Sequence, residues 1–213
     1  MEVKEILRHI DHTLLKPVAT WPEIQKLCEE ALAYHTASVC VPPCYIGRIH
    51  EAYQELRICT VVGFPLGYIS AESKLAEAVW AMEKGAQEID MVVNLTDVKN
   101  GDFEVVTEEI RQMRQATRGR VLKVIIETCF LTEPEKIALC RAVTEEGADY
   151  IKTSTGFGTA GAALSDIALF RQHIGPEVKI KAAGGIRTRE AMEAFLEAGC
   201  DRIGTSSAGV LLG

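Results

Sequence analysis

Short apolar runs alternate along this chain with longer stretches in which apolar residues recur every three or four positions. The runs fall at 10–15, 37–41, 58–64, 88–94, 121–128, 150–155, 178–183 and 202–206, and most are near-continuous in β-branched residues. A strand with one wet face alternates polar and apolar residues, whereas a continuous run marks a parallel strand covered on both faces. Helical stretches follow nearly every run. The pattern therefore predicts an α/β protein, a single (β/α)8 barrel of the TIM type. An open, doubly wound sheet is the competing arrangement. The 213 residues are few for a fold that typically takes about 250. No Pro/Gly/Ser-rich linker interrupts them, so one domain is expected over 1–213.

The helices carry their own punctuation. Thr20-Trp21-Pro22-Glu23 and Thr132-Glu133-Pro134-Glu135 match the capping box, with proline in the first turn. Gly85, Gly147 and Gly199 stand where helices should stop. These glycines also expose a repeat, because each is followed four residues later by Ile89, Ile151 or Ile203 and five later by Asp90, Lys152 or Gly204. Strand side chains alternate, so if the isoleucines face the helices, the residues after them face the barrel axis. Cys40 follows Val39 in the same register, with His35 in place of the glycine.

That parity turns a group of charges inward: Asp90, then Lys123 and Glu127, then Lys152, then Lys181. Charged residues are almost never fully buried unless paired or used. A structural ion-pair cluster is the plain alternative. Two lysines near the ends of adjacent strands, each followed by a glycine loop, favour chemistry. At an ordinary pKa near 10.4, only about one lysine in a few thousand is a neutral nucleophile at pH 7. A second ammonium about 4 Å away makes charging harder by roughly 4 kcal/mol at an effective dielectric of 20. In such a pair one amine can act as nucleophile while the other stays cationic. Asp90 can then move protons through water. Amine, ammonium and carboxylate in one place suit Schiff-base carbon–carbon chemistry.

Loops seven and eight supply a candidate anion site. Ala182-Ala183-Gly184-Gly185 closes one strand, and Gly204-Thr205-Ser206-Ser207 closes the next. Barrels of this kind often hold phosphate there, on backbone N–H groups and a short helix N-terminus. Gly156-Phe157-Gly158 is a candidate third wall. The lesser candidates have bland readings beside the functional ones. Cys40 reads as a small buried hydrophobe or a site thiol. Asp11 is a strand-end carboxylate or a residue at the pocket edge. Lys179 shares the parity of Lys181 but begins its strand, away from the face where barrels keep their chemistry.

Composition narrows the classes. A net charge of -7 argues against nucleic acid or an anionic membrane as partner, without excluding a phosphorylated substrate. No apolar run approaches the roughly 18 residues of a membrane span. The charged N-terminus has no signal-like apolar stretch, so the expected compartment is the cytoplasm. The seven cysteines form no C-x-x-C pair and read as free thiols, several of them buried. His9 and His12, three apart on a strand, should point to opposite faces, so no metal site is expected.

The chain resembles the deoxyribose-phosphate aldolase family. The resemblance rests on Asp11-His12-Thr13-Leu14-Leu15, Val61-Val62-Gly63-Phe64-Pro65-Leu66-Gly67, Glu88-Ile89-Asp90-Met91-Val92, Leu122-Lys123-Val124-Ile125-Ile126-Glu127-Thr128, Ile151-Lys152-Thr153-Ser154-Thr155-Gly156-Phe157, Lys181-Ala182-Ala183-Gly184-Gly185-Ile186-Arg187 and Arg202-Ile203-Gly204-Thr205-Ser206-Ser207. These span nearly the whole chain, in the family's order. The resemblance implies reversible cleavage of 2-deoxy-D-ribose 5-phosphate to acetaldehyde and D-glyceraldehyde 3-phosphate, with no metal or organic cofactor. It implies Lys152 as the Schiff-base lysine and Asp90 with Lys181 as the proton relay. Asp11, Cys40, Lys123, Thr153, Gly156, Gly184, Gly185, Gly204, Ser206 and Ser207 are the expected substrate contacts, and a homodimer or homotetramer is the expected assembly. Tyr68-Ile69 and Leu95-Thr96 depart from the family pattern, where smaller polar residues and a Gly-Ala type of turn are expected. Two other readings compete: another phosphosugar barrel, either a Schiff-base aldolase or an isomerase without a covalent lysine, and a non-catalytic phosphosugar-binding protein.

Overall fold

A computed structural model describes residues 1–212; Gly213, the last residue of the expected domain, lies outside them. The strands are β1 (Ile10–Thr13), β2 (Ser38–Val41), β3 (Ile58–Val62), β4 (Glu88–Val92), β5 (Val121–Ile125), β6 (Tyr150–Lys152), β7 (Lys179–Ala183) and β8 (Arg202–Thr205). They run parallel in chain order, and β8 pairs with β1. The sheet is closed, so the open doubly wound alternative is set aside.

Around it lie α1 (Val3–Leu7), α2 (Trp21–Tyr34), α3 (Ile46–Ala52), α4 (Ala71–Glu83), α5 (Leu95–Asn100), α6 (Phe103–Ala116), α7 (Glu133–Glu145), α8 (Leu164–His173) and α9 (Arg189–Glu197). Both capping boxes form: the Thr20 and Thr132 backbone N–H groups donate to Glu23 and Glu135 at 2.7 and 2.6 Å. Gly85, Gly147 and Gly199 take positive φ just past α4, α7 and α9, and His35 takes the same left-handed turn after α2. The repeat is therefore a helix stop followed by a short loop into the next strand.

Most strands end earlier than the apolar runs do. β5 stops at Ile125 and not at 128, and β6 stops at Lys152 and not at 155. Beyond those points the chain leaves the ladder to build the rim loops, and its side chains no longer alternate. Glu127 illustrates the consequence. Its backbone is left-handed (φ 50°), so strand parity does not describe where it points. The Leu95-Thr96 departure also resolves into structure. The Asn94 side chain accepts from the Thr96 N–H at 3.1 Å and opens α5, a short helix where a turn was expected.

Two apolar regions result. Ile89, Ile151, Ile203 and Val39 belong to the large buried layer between strands and helices, while Cys40, Cys59 and Val61 form a small separate cluster inside the barrel. Outside the barrel centre, Lys74 on α4 is fully buried. Its ammonium pairs with Glu109 on α6 at 2.6 Å and donates to the Val92 carbonyl at 2.8 Å. Burial pushes Lys74 down and Glu109 up from their ordinary values, with each charge opposing the shift of the other. Removing one partner should therefore strand the other. Lys74→Met is expected to lower unfolding free energy by about 3 kcal/mol, and adding Glu109→Leu should restore most of the loss. Urea unfolding of the wild type, single and double variants checks this; a double variant less stable than Lys74→Met contradicts it.

Candidate active site

The barrel interior holds a ring of charges that follows from register. Paired residues on neighbouring parallel strands share a face, and here Asp90 pairs with Lys123, Lys152 with Lys181, and Lys181 with Arg202. Asp90 is the hub. Its Oδ2 accepts from Lys152 Nζ at 2.8 Å and from Lys181 Nζ at 2.7 Å, and its Oδ1 accepts from Lys123 Nζ at 2.8 Å. The Cys59 thiol also donates to Oδ1, at 3.1 Å. Lys181 has a second partner, Asp11, at 2.5 Å. Lys123 reaches Glu88 at 2.6 Å and Asp11 at 3.7 Å, while Arg202 engages Asp11 and Glu88.

The ring comprises Lys123, Lys152, Lys181 and Arg202 against Asp11, Glu88 and Asp90. Each cation has a carboxylate partner, but four cations face three carboxylates, so the ring carries one net positive charge. Burial alone would push Asp11 up, but Lys181, Lys123 and Arg202 reverse this and hold it far below the carboxylate range. Burial is likewise outweighed at Asp90, by Lys123, Lys152 and Lys181, and that carboxyl also stays well below its ordinary value. At Lys181, burial opposes the charge, but Asp11 and Asp90 overcome it and raise the ammonium above the ordinary lysine range. Lys123 is raised too, against burial, chiefly by Asp90. Lys152 differs from both in geometry: its one carboxylate is Asp90, on an oxygen shared with Lys181. The two lysines thus do not repel across an empty gap. A carboxylate oxygen lies between them, and Asp11 secures Lys181 from behind.

Above Lys152 opens a cavity of about 240 Å³. Lys152 stands at its floor, and the walls are Thr155, Gly156 and Phe157 on the β6–α8 loop, Gly184 and Gly185 after β7, and Gly204 and Ser206 at the end of β8. Gly184 and Gly185 have φ of 88° and 78°, a region open to glycine. A Cβ on Gly204 would stand 3.2 Å from Lys181 Cε, so the glycine makes room for that lysine to cross the barrel. This explains why Gly204 fills the repeat position occupied elsewhere by Asp90 and Lys152.

The structure brings Lys152, Gly156, Gly184, Gly185, Gly204 and Ser206 to the cavity wall, but not every sequence candidate. Asp11, Cys40 and Lys123 are fully buried beneath it. For Asp11 the pocket-edge expectation is corrected, because its carboxylate is taken up by Lys181 and Arg202. Lys123 is occupied by Asp90 and Glu88, and Cys40 packs with Cys59 and Val61. Thr153 is also buried, its hydroxyl accepting from the Ala183 N–H at 3.1 Å and so tying β6 to β7. The Ser207 N–H is spent on Thr205 Oγ1 at 3.0 Å and does not point to the cavity. Glu127, expected among the inward charges, binds Thr155 on the rim instead. Four residues escaped the sequence reading. Arg187 and Lys16 line the cavity, and Glu88 and Arg202 complete the charge ring. Parity could have found the last two, which lie two residues before Asp90 and Gly204.

No shared metal ligation by His9 and His12 is possible as placed. His9 Nδ1 contacts the Asp201 carbonyl, and His12 Nε2 contacts Glu30. Donor atoms of Cys40, Cys59 and Asp90 do lie within 4.8 Å of one another. Both Asp90 oxygens there are already engaged by lysine ammoniums. Burial pushes the thiols of Cys28, Cys140 and Cys200 up to about 12, so these behave as small hydrophobes.

Residues 6–213 match the family model described as DeoC/LacD family aldolase, and the chain belongs to that family. A deoxyribose-phosphate aldolase of Clostridium botulinum (strain Alaska E43 / Type E3) is 63% identical over 213 residues, covering 100% of this chain and 96% of that one. A deoxyribose-phosphate aldolase of Streptococcus pyogenes serotype M4 is 55% identical over 207 residues, covering 97% and 93% of the two chains. Among solved structures, the tetrameric deoxyribose phosphate aldolase of Aeropyrum pernix superimposes with a TM-score of 0.92 at 33% identity, covering 99% of this chain and 91% of that one.

The depressed carboxyls give the ring a pH signature. Asp11 stays ionised in the folded protein, while in the unfolded chain it takes up a proton near pH 4. Its contribution is therefore complete above about pH 5 and is lost as the pH falls. Asp11→Asn is expected to flatten the acid side of the stability curve, by up to about 1.4 kcal/mol per pH unit between pH 4 and 3. Urea unfolding at stepped pH measures the slopes; parallel slopes for variant and wild type contradict the assignment.

Proposed function

We propose that the protein is a class I aldolase that reversibly cleaves 2-deoxy-D-ribose 5-phosphate, with Lys152 as the amine that bonds to the substrate. One observation carries this: a lysine at the floor of a cavity shares a buried carboxylate oxygen with a second lysine, at 2.8 and 2.7 Å. A phosphosugar-binding protein has no need of a buried amine under its pocket. An isomerase lacking a covalent lysine would have no use for this arrangement either.

In the forward direction, the Lys152 amine attacks the C1 aldehyde of the open-chain sugar, and loss of water leaves an iminium. The iminium draws electrons as the C2–C3 bond breaks and the C3 hydroxyl gives up its proton. D-Glyceraldehyde 3-phosphate departs, leaving an enamine on Lys152. Protonation at carbon and hydrolysis then release acetaldehyde and restore the amine. Asp90 accepts and returns protons, through water where the distance requires it. Lys181, held cationic by Asp11 and Asp90, keeps positive charge beside the nucleophile and completes the proton relay through the Asp90 oxygen that it shares with Lys152. Lysine, ammonium and carboxylate carry every step, so the reading calls on no metal or organic cofactor.

The phosphate is assigned to the N–H groups of Gly185 and Ser206, with Gly204 lining the same wall and Arg187 and Lys16 as cations beside it. Asp11, Lys123 and Cys40 serve from below by holding the ring in place, and Thr153 by fixing the strand that carries Lys152. We read residues 1–213 as one domain acting in the cytoplasm on small phosphosugars and aldehydes, with neither nucleic acid nor membrane as partner. Among the described residues no helix is long and apolar enough to cross a membrane. The tetrameric Aeropyrum pernix relative supports a homodimer or homotetramer here.

Reaction with acetaldehyde and borohydride, followed by peptide mass mapping, tests the central assignment. The expected result is a reduced two-carbon adduct on Lys152 and none on Lys123 or Lys181. An adduct on either of the other lysines overturns it.

A further inference from the structure

Glu127 lies outside the charge ring and does not line the cavity, yet its conformation is unusual. It is a non-glycine residue with φ 50° and ψ 67°, and its side chain is buried. Apart from the helix cap at His35, it is the one non-glycine positive φ among the described residues. Such a conformation costs of order 1 kcal/mol or more and persists where its surroundings enforce it.

The surroundings are specific. The Ile126 N–H donates to the Lys152 carbonyl at 3.0 Å, and the Thr128 N–H donates to the Thr153 carbonyl at 2.9 Å. Two residues of advance on one strand thus face one residue on the other, and Glu127 is the extra residue of a bulge beside the proposed nucleophile. Bulges re-aim side chains, and this one aims a carboxylate at the opposite loop. There it takes the Thr155 N–H on both oxygens, at 3.2 and 3.3 Å, and the Thr155 hydroxyl in a short hydrogen bond to Oε2. The Thr155 hydroxyl oxygen then accepts from the Phe157 N–H at 3.0 Å. Phe157 meets Phe64 edge to face, with ring centroids 5.4 Å apart. Gly158 packs so closely on this clamp that a Cβ there would lie 3.1 Å from Glu127 Cδ.

We propose that Glu127 is a positioning residue, which holds the Thr155–Gly156–Phe157 wall of the cavity in its substrate-binding shape. Its action runs through Thr155, whose N–H and O–H donors it consumes, so that Thr155 meets the substrate as a fixed wall and not as a donor. The carboxylate is needed because both acceptors are in use. An amide would turn an N–H₂ toward one of the Thr155 donors.

This inference rests on the aldolase reading above, and the experiment separates the two. Wild type, Glu127→Gln, Thr155→Val and the double variant are compared for KM and kcat on 2-deoxy-D-ribose 5-phosphate. Active sites are counted by acetaldehyde–borohydride trapping at Lys152. Glu127→Gln is expected to raise KM about tenfold, the loss of roughly one charge-assisted hydrogen bond. Per trapped site, kcat should change less than about threefold, and the pH–rate profile should keep its position because the ring is untouched. The double variant should be no worse than the poorer single one, since both remove the same clamp. If Glu127→Gln folds poorly, Glu127→Asp, which keeps the charge and shortens the reach, takes the same measurement. An unchanged KM per trapped site, or effects that multiply in the double variant, overturns the positioning role while leaving the aldolase reading intact. Failure of the wild type to trap acetaldehyde or cleave the sugar defeats that reading instead.

Discussion

A charge inside a barrel has no water to answer it, and in this protein the answer comes from Asp90. Its two oxygens take the ammoniums of Lys123, Lys152 and Lys181, and every other charge of the interior can be traced outward from that carboxylate. Burying it alone would be prohibitive; buried with three cations it stays ionised. The cations in turn need more negative charge than Asp90 supplies, and Asp11 and Glu88 provide it. Four cations against three carboxylates leave the ring one net positive charge. Lys152 has a single carboxylate, on a shared oxygen, and stands where the cavity begins.

The barrel makes the arrangement possible because closure fixes register. Parallel neighbours put Lys152 beside Lys181, and Asp90 beside Lys123, without any loop having to be ordered. Lys152 and its charged partners thus sit on strands, where backbone hydrogen bonds hold them. The glycine-lined cavity wall and the Glu127–Thr155 contact sit on loops, where glycine and a left-handed glutamate give the backbone shapes that strands cannot. Gly204 joins the two levels, since its missing side chain leaves room for Lys181.

Strand number, order of elements and inward parity were legible in the sequence because the repeat after Gly85, Gly147 and Gly199 marks the same point in each unit. Asp90, Lys152 and Lys181 could be placed from it as soon as strand alternation was applied. The partition between cavity and interior was not legible. Asp11 and Lys123 looked like candidates for substrate contact, but depth in a barrel depends on strand stagger, which a single strand's pattern does not encode. Glu127 lies past the end of β5, where alternation no longer holds, and Ser207 was placed by its loop alone, which does not show that its N–H is spent on Thr205. Arg187 and Lys16 gave no local signal at all, since an arginine or lysine on a loop reads as surface until the loop is folded over a pocket.

The oxygen that Lys152 and Lys181 share on Asp90 couples the two lysines, and the rate of acetaldehyde–borohydride trapping at Lys152 in a Lys181→Leu variant tests that coupling most directly. With the cation beside the proposed nucleophile removed, trapping should slow by about tenfold or more in a variant that still unfolds cooperatively. A trapping rate equal to that of the wild type would contradict the coupling.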